Sequence, residues 1–413
     1  MISKEIKVYP LLCQGCAGCF LVCPQGTIDL IHNERGFTYP KINYDRCSRC
    51  KRCYNVCPVN LKENLSTCIL GNILNSFLGY ATIKEDRFLA SSGGIVTAIV
   101  KWALEKEVVE AVICVQASAK SFWQAEFSVI SHPSEIYRIR TSRYIPVSLE
   151  SAFEDLELLK RYKTLGFIGL GCHIRALHNL KKILNLKNIH FTIGLICKQT
   201  KDKRYVDYIL RILNVDIKEI SEFFYRTDGY PGKSTITLKN GLKKEYPYSK
   251  LGFLWSNFYF SPLGCFFCTD PLAEYADIVV GDAWLKEFKD ERMGISLVFS
   301  RTHKGDTIIK QAFFERFIEI KPFEKKKIAH AQCLRFLRFK KEYLQEKLLL
   351  TKLIQRDFPY KDFGFKKSAN PFKILNVIRI FLSYKFLEKL LYLNIYHKFF
   401  RNLIKYFSIF LRV

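Results

Sequence analysis

Two runs of four cysteines constrain this chain more than any other feature. The first is Cys13-x2-Cys16-x2-Cys19-x3-Cys23-Pro24, and the second, Cys47-x2-Cys50-x2-Cys53-x3-Cys57-Pro58, repeats its spacing. A cubane of iron and sulfide needs four thiolates at the corners of a tetrahedron. A tight loop with a sulfur at every third residue supplies three of them, and the fourth has to come from elsewhere. In a doubled run of this kind the last cysteine of each run serves the other cluster. The spacing therefore predicts two 4Fe–4S clusters. One is assigned to Cys13, Cys16, Cys19 and Cys57, the other to Cys47, Cys50, Cys53 and Cys23.

A doubled run with this spacing resembles the bacterial dicluster ferredoxins. Structural zinc favours paired C-x2-C units over three evenly spaced cysteines and a Cys-Pro. A disulfide framework would require export, and residues 1–7 lead into neither an apolar h-region nor a small-residue cleavage site. Fifteen cysteines in a chain expected in the cytoplasm point to metal instead. The doubled run ends at Pro58, so most of the 413 residues belong to something larger. An electron-transfer module joined to a large core suggests an enzyme that consumes or supplies those electrons.

The formal charge of +26 is unevenly spread, since residues 331–413 carry 18 Lys and Arg against 5 Asp and Glu. Nucleic acid, a membrane surface or an acidic protein would each suit such a segment. With no zinc finger, helix-turn-helix or RNA-binding motif, nucleic acid is not expected as a partner. From Pro371 onward the tail mixes aromatics and aliphatics with regularly placed Lys and Arg. No charge-free run approaches the roughly twenty residues that span a bilayer. Apolar residues keep helical spacing at Ile374, Val377, Ile378 and Phe381, and again at Phe399, Leu403, Phe407 and Phe410. Two readings stand: a helix lying on the inner membrane face, or one packing on the core or a partner.

Between the cysteine runs, Thr27–Ile31 and Phe37–Ile42 predict a short hairpin. Ser91-Ser92-Gly93-Gly94 then precedes a helical pattern over Val96–Glu107, and hydroxyls and glycines ahead of a helix make a ready anion cradle. Strands are predicted at Val108–Val115, Phe127–Ile130, Thr164–Gly169, Phe191–Cys197 and Ala276–Val280. Helices are predicted at Glu150–Lys160, His178–Leu186 and Val206–Leu213, and the Asn240-Gly241 pair closes a hairpin between Thr235–Leu238 and Leu242–Tyr246. Helices and strands mix without strict alternation, which gives an α+β or mixed α/β core. A second cysteine set, Cys172, Cys197, Cys265 and Cys268, falls at strand ends or in glycine-containing loops, where ligand sites gather in open sheets. Spacing alone leaves three readings: a third cluster, ordinary buried thiols, or a zinc on Cys265 and Cys268.

Ser92-Gly93-Gly94, Thr141-Ser142-Arg143-Tyr144, Gly169-Leu170-Gly171-Cys172, Ile196-Cys197, Cys265-x2-Cys268, Ala276-Asp277-Ile278 with Gly281-Asp282-x-Trp284, and Gly294-Ile295-Ser296 follow in that order. Together they resemble the beta-subunit family of coenzyme F420 hydrogenases and dehydrogenases over about residues 80–310, here behind a dicluster ferredoxin domain. The resemblance implies a core that binds FAD and one further 4Fe–4S cluster. It places Ser91, Ser92, Gly93 and Gly94 near the flavin and Cys172, Cys197, Cys265 and Cys268 on the cluster. Two departures lie beside the expected flavin. The family commonly has Gly-Thr-Pro-Cys where this chain has Gly169-Leu170-Gly171-Cys172, and His-Gly where Lys198-Gln199 follow Cys197.

The chain therefore reads as a dicluster domain over 1–75, a flavin-binding core over 76–160 and 161–330, and a helical basic tail over 331–413. The expected function is a cytoplasmic iron–sulfur flavoprotein oxidoreductase. It would pass electrons between an external one-electron partner (a ferredoxin or a redox enzyme), its clusters, FAD and a small-molecule hydride acceptor or donor. Surface-polysaccharide metabolism is one setting that the resemblance implies. The rival is a subunit that only relays electrons to a partner enzyme. No general acid is assigned: His173 adjoins an expected ligand, yet a lone histidine at an apolar strand-to-helix junction suits a structural hydrogen bond, and Arg226 and Asp282 lie in the matching segments.

Overall fold

The computed structural model describes residues 12–59, 68–153, 161–354 and 369–392. The hairpin between the cysteine runs is present, with β1 (Ile28–His32) antiparallel to β2 (Thr38–Ile42). The core strands follow as β3 (Asn75–Ala81), β4 (Ala111–Ala117), β5 (Ala125–Ile130), β6 (Leu165–Leu170) and β7 (Ile189–Leu195). Next come β8 (Ile220–Thr227), β9 (Lys233–Leu238) and β10 (Lys243–Pro247), then β11 (Ile278–Asp282), β12 (Ser296–Ser300) and β13 (Ile318–Pro322). Eight of them form one mixed sheet in the order β13-β3-β12-β11-β7-β6-β4-β5. Its centre, β11-β7-β6-β4, is parallel, and both flanks are antiparallel.

The central strands are largely apolar because both faces of the sheet are covered. Ile113, Phe167, Val279 and Leu297 point to one face, where the ferredoxin loops and the helix Gly171–Leu184 lie. Val112, Ile168, Val280 and Val298 point to the other, under the helices Ile95–Glu105 and His303–Phe314. The three-stranded sheet β10-β9-β8 packs with the helix Lys203–Leu213 around a separate aromatic cluster containing Tyr205, Phe223, Tyr225 and Tyr259. The architecture is the mixed α/β core expected. The helix expected at His178–Leu186 starts seven residues earlier, at Gly171, so Cys172 and His173 occupy its first turn. Of the helix expected over Glu150–Lys160, Glu150–Phe153 is seen, and residues 154–160 lie outside the described residues.

Over its described residues the C-terminal segment packs on the core. Helices Lys325–Ala331, Leu334–Glu342 and Leu344–Ile354 fold back onto the core, and the helix Pro371–Tyr392 packs on the last of these. Its apolar stripe buries Val377 and Ile380 among Phe258, Phe266, Phe336 and Phe339. The first half of the predicted amphipathic pattern is thus met by the protein's own aromatic cluster; the second, Phe399–Phe410, lies outside the described residues. No helix among the described residues is long and apolar enough to cross a membrane.

Candidate redox centres and the adjoining cavity

The two cysteine runs fold alike, residue for residue. Gly15 and Arg49 both have left-handed backbones (φ 72° and 57°), as do Ala17 and Lys51 (58° and 63°). Such alternation curls the chain so that backbone N–H groups face inward, a concavity that suits an anionic group. The Gly15 and Arg49 N–H groups donate to the Cys13 and Cys47 Sγ atoms, each at 3.4 Å. Each run then enters a short helix, Gly18–Leu21 or Arg52–Val56.

Cys57 acts electrostatically on the first run and Cys23 on the second. Burial, assisted by Cys57, pushes the Cys13 thiol up to about 12, and Cys16 and Cys19 are raised by burial and by Cys57 as well. Burial raises Cys53 to about 11, with Cys47, Cys50 and Cys23 adding to it. A cleft is lined by Cys23, Cys47, Cys50 and Cys53 together. Cys23, against a desolvation that raises it, is held below the ordinary thiol range by the Thr27 hydroxyl and N–H at 3.3 Å.

The core cysteines also converge. Cys172 stands in the first turn after β6, Cys197 two residues past β7, and Asp282 ends β11, so all three lie at the carboxyl ends of adjacent parallel strands. Cys265 and Cys268 are brought in by the short helix Leu263–Phe267. Burial and then Cys268, Cys197, Cys16 and Cys265 raise Cys172, while burial and Cys265 raise Cys197. Thiols held this way ionise only against added positive charge, which a metal centre supplies. Among the described residues, no three His, Cys, Asp or Glu side chains are placed to hold a single metal ion. A cubane asks for something else, because each thiolate binds a different iron. The donor chemistry therefore suits 4Fe–4S clusters better than mononuclear zinc.

Two buried lysines reach this cysteine set from the C-terminal helices. Lys340, 1% exposed, donates through Nζ to the Cys265 carbonyl, and its charge lowers the Cys197 and Cys268 thiols against their burial. Lys347, 0% exposed, lies over the Phe339 ring at 4.2 Å, and burial followed by Lys340 pushes its ammonium well down. Interior cations are costly without a counter-charge. A tetrathiolate centre on these cysteines would supply one. Counting charges along the tail gave no hint that some of its lysines point inward.

The ferredoxin loops sit directly on the core. The Leu149 N–H donates to the Cys16 carbonyl at 3.0 Å, and Asn179 Nδ2 to the Val56 carbonyl at 3.3 Å. Gly264 abuts the Cys13 carbonyl so closely that a Cβ would collide with it. Gly264→Ala is therefore expected to push the first cysteine loop off the core and to cost about 1–3 kcal/mol, as overpacking does. A lower urea midpoint and a perturbed EPR spectrum of the inner clusters would register it.

A cavity of about 620 Å³ adjoins the core cysteines, and Cys197 stands in its wall. Ser91, Ser92 and Gly94 line it as expected, but the serine hydroxyls are spent within the protein. Ser91 Oγ donates to the Arg226 carbonyl at 2.9 Å and accepts from the Ser142 N–H at 2.6 Å; Ser92 Oγ donates to the Ile295 carbonyl at 3.0 Å. The Gly93 N–H is taken by Ser296 Oγ at 2.9 Å, and a Cβ on Gly93 would stand 2.6 Å from the Gly79 carbonyl. The segment braces the cavity wall, with both hydroxyls already hydrogen-bonded within the protein.

Below it, Arg226 forms a two-pronged pair with Asp282 at 2.8 and 2.9 Å while 1% exposed, and its guanidinium lies 4.7 Å from the Tyr248 ring and 5.1 Å from Trp284. Lys198 also lines the cavity, its ammonium lowered by burial against the opposing charges of Cys333 and Asp282. Three buried polar atoms on lining residues have no hydrogen-bond partner: Thr141 Oγ1, Arg143 Nε and Trp255 Nε1. A largely apolar cavity of this size suits a large organic ligand. His173 is structural: Nδ1 accepts from the Leu170 N–H at 3.3 Å, which leaves Nε2–H to donate to the Val147 carbonyl at 2.9 Å.

Comparison with known proteins agrees with this layout. Residues 76–154 match the coenzyme F420 hydrogenase/dehydrogenase beta subunit N-terminal family, and residues 162–326 match its C-terminal family. Residues 12–61 match the 4Fe-4S dicluster domain. The chain is 26% identical over 354 residues to a coenzyme F420-dependent sulfite reductase of Methanocaldococcus jannaschii, covering 80% of this chain and 50% of that protein. It is 23% identical over 307 residues to the coenzyme F420 hydrogenase subunit beta of Methanothermobacter thermautotrophicus, covering 71% of this chain and 100% of that one. A chain in the F420-reducing NiFe hydrogenase complex of Methanosarcina barkeri superposes with a TM-score of 0.55 at 22% identity, over 74% of this chain and 98% of that one. The chain thus spans half of the sulfite reductase and the whole of the hydrogenase subunit.

Proposed function

Because the chain belongs to the coenzyme F420 hydrogenase/dehydrogenase beta-subunit family and carries a 4Fe-4S dicluster domain, we propose that it is an iron–sulfur flavoprotein oxidoreductase. It exchanges electrons between a redox partner and an organic hydride acceptor or donor. One observation carries the reading: three cysteine groups in succession lead from the protein surface to a cavity large enough for a dinucleotide cofactor. Cys53 of the outer group acts electrostatically on Cys19 of the inner group, and Cys16 of the inner group acts on Cys172 of the core group. Cys197 of the core group lines the cavity.

In this reading Cys13, Cys16, Cys19 and Cys57 hold one 4Fe–4S cluster, and Cys23, Cys47, Cys50 and Cys53 hold a second. Cys172, Cys197, Cys265 and Cys268 hold a third. FAD occupies the cavity and supplies the exchange between one-electron and hydride chemistry. The protein's part is placement. Gly93 and Gly94 let the wall approach closely, Thr141 and Arg143 line it, and the Arg226–Asp282 pair fixes the floor. Lys198 stands where family members commonly have a histidine and presents a cation beside Cys197, which suits an anionic or carbonyl-bearing substrate.

Anaerobically purified protein is expected to contain about twelve irons per chain, four for each cubane. It is also expected to retain one FAD and to reduce a deazaflavin or another organic hydride acceptor when supplied with low-potential electrons. Full iron and flavin without turnover of any hydride acceptor would favour the relay subunit. Absence of bound flavin from iron-replete protein would defeat the proposal.

A further inference from the structure

The three cysteine groups are not equally sheltered. Cys16 and Cys19 are buried, whereas Cys50 is exposed and Cys47 half-exposed, so the Cys23–Cys47–Cys50–Cys53 group is the one nearest solvent. The cleft between its sulfurs is edged by Lys51 and Arg52. Arg46 and Arg49 are also exposed, and Asp45 is the one acid within residues 44–52. These nine residues carry a net charge of +3, against +26 over all 413, so the loop is far more basic than the chain as a whole. None of the four cations enters an ion pair with a described residue, unlike Lys203, Lys233 or Lys310 elsewhere on the surface. Tyr44, 54% exposed, adds an aromatic ring at the edge of the same patch.

Unpaired charge around an accessible redox group has two effects. It draws an oppositely charged partner, speeding encounter by 10- to 1,000-fold, and it orients that partner on arrival. The exposed tyrosine adds the kind of contact that interfaces favour at their centre. We infer that residues 44–52 form the docking surface for a small acidic one-electron carrier protein with an iron–sulfur centre. This inference rests on the reading of Cys23, Cys47, Cys50 and Cys53 as cluster ligands. In the exchange one electron leaves the carrier's cluster, which is oxidised, and enters the outer cluster, which is reduced. No bond forms or breaks and no proton is transferred.

The test uses the iron-loaded full chain and, as probe, a small acidic dicluster ferredoxin reduced beforehand, with oxidation of the probe followed by stopped flow. The second-order rate of the parent protein is expected to fall steeply with ionic strength. The variant R46E/R49E/K51E/R52E is expected to lose at least tenfold in that rate at low salt and most of its salt dependence. Its reduction by methyl viologen radical, a small cation, should not slow. A matched variant, K218E/K239E/K243E/K250E, removes equal charge from exposed positions on and beside the three-stranded sheet and should retain most of the rate.

Equal losses in the two variants would show that total charge, not this loop, governs association, and would overturn the inference. So would an unchanged rate in the loop variant, or salt-sensitive binding of duplex DNA by the loop with ferredoxin reduction unaffected. If the glutamate variant loses iron, R46Q/R49Q/K51Q/R52Q makes the same comparison with milder changes, and an unslowed rate in it counts against the inference. A parent protein that binds no outer cluster would fail the ligand reading itself, a separate outcome visible from iron content before any rate is measured.

Discussion

Replacing Cys197 by serine is expected to lower the iron content from about twelve atoms per chain to about eight while the two N-terminal clusters remain reducible. Cys197 is singled out because it touches both the core cysteine group and the cavity. A cubane deprived of one of its four thiolates is lost or degraded. The outer cysteines lie on separate loops and keep all of their own ligands. Electrons delivered to the N-terminal clusters should then stop short of the cavity. Rapid-freeze EPR would find those clusters reduced and any bound flavin oxidised, with turnover falling by several orders of magnitude. Eight irons in the parent protein, unchanged by the substitution, would mean that the core cysteines are structural and that the path to the cavity runs elsewhere.

The second large effect concerns stability. Arg226→Ala is expected to destabilise the protein by about 3 kcal/mol or more, the low end for breaking a buried pair. The low end applies because Asp282 keeps 20% side-chain exposure and so some water. The guanidinium also donates to the Pro231 carbonyl at 2.7 Å and lies over aromatic faces. Its loss leaves an acid and an acceptor without partners and two rings without their cation. Arg226→Lys should recover only part of the loss, since an ammonium cannot span both carboxylate oxygens in one plane. Chemical unfolding midpoints of the three proteins would measure this. A midpoint of the alanine variant within experimental error of the parent would refute the structural weight given to the pair.

What the sequence disclosed and what it withheld divide along physical lines. The cysteine runs were legible because cluster geometry dictates ligand spacing within one short loop, and the β1–β2 hairpin was legible from its alternation and turn. The convergence of Cys172, Cys197, Cys265 and Cys268 was legible only as an option, because it depends on which strands neighbour one another. Strands β3, β12 and β13 went unassigned. They form an antiparallel flank assembled from residues more than two hundred positions apart, and nothing local announces such pairing.

Ser91 and Ser92 were legible as hydrogen-bonding groups, but their partners within the protein were not, since composition does not reveal which way a hydroxyl turns. Lys340 and Lys347 were counted in a basic tail because a charge count carries no direction. One missed residue did leave a signal. Gly264 precedes Cys265, and a glycine beside a ligand cysteine is a sign of backbone approaching backbone, here the carbonyl of Cys13.

That contact bears on how the protein is made. The first cysteine loop packs on the core, with Gly18 against Ala176 and the Cys16 carbonyl bonded to Leu149, which brings Cys16 beside Cys172. The four core cysteines keep partial exposure, and Cys197 opens onto the cavity. Metal delivered to the folded core would therefore enter from the cavity side and not past the first cysteine loop.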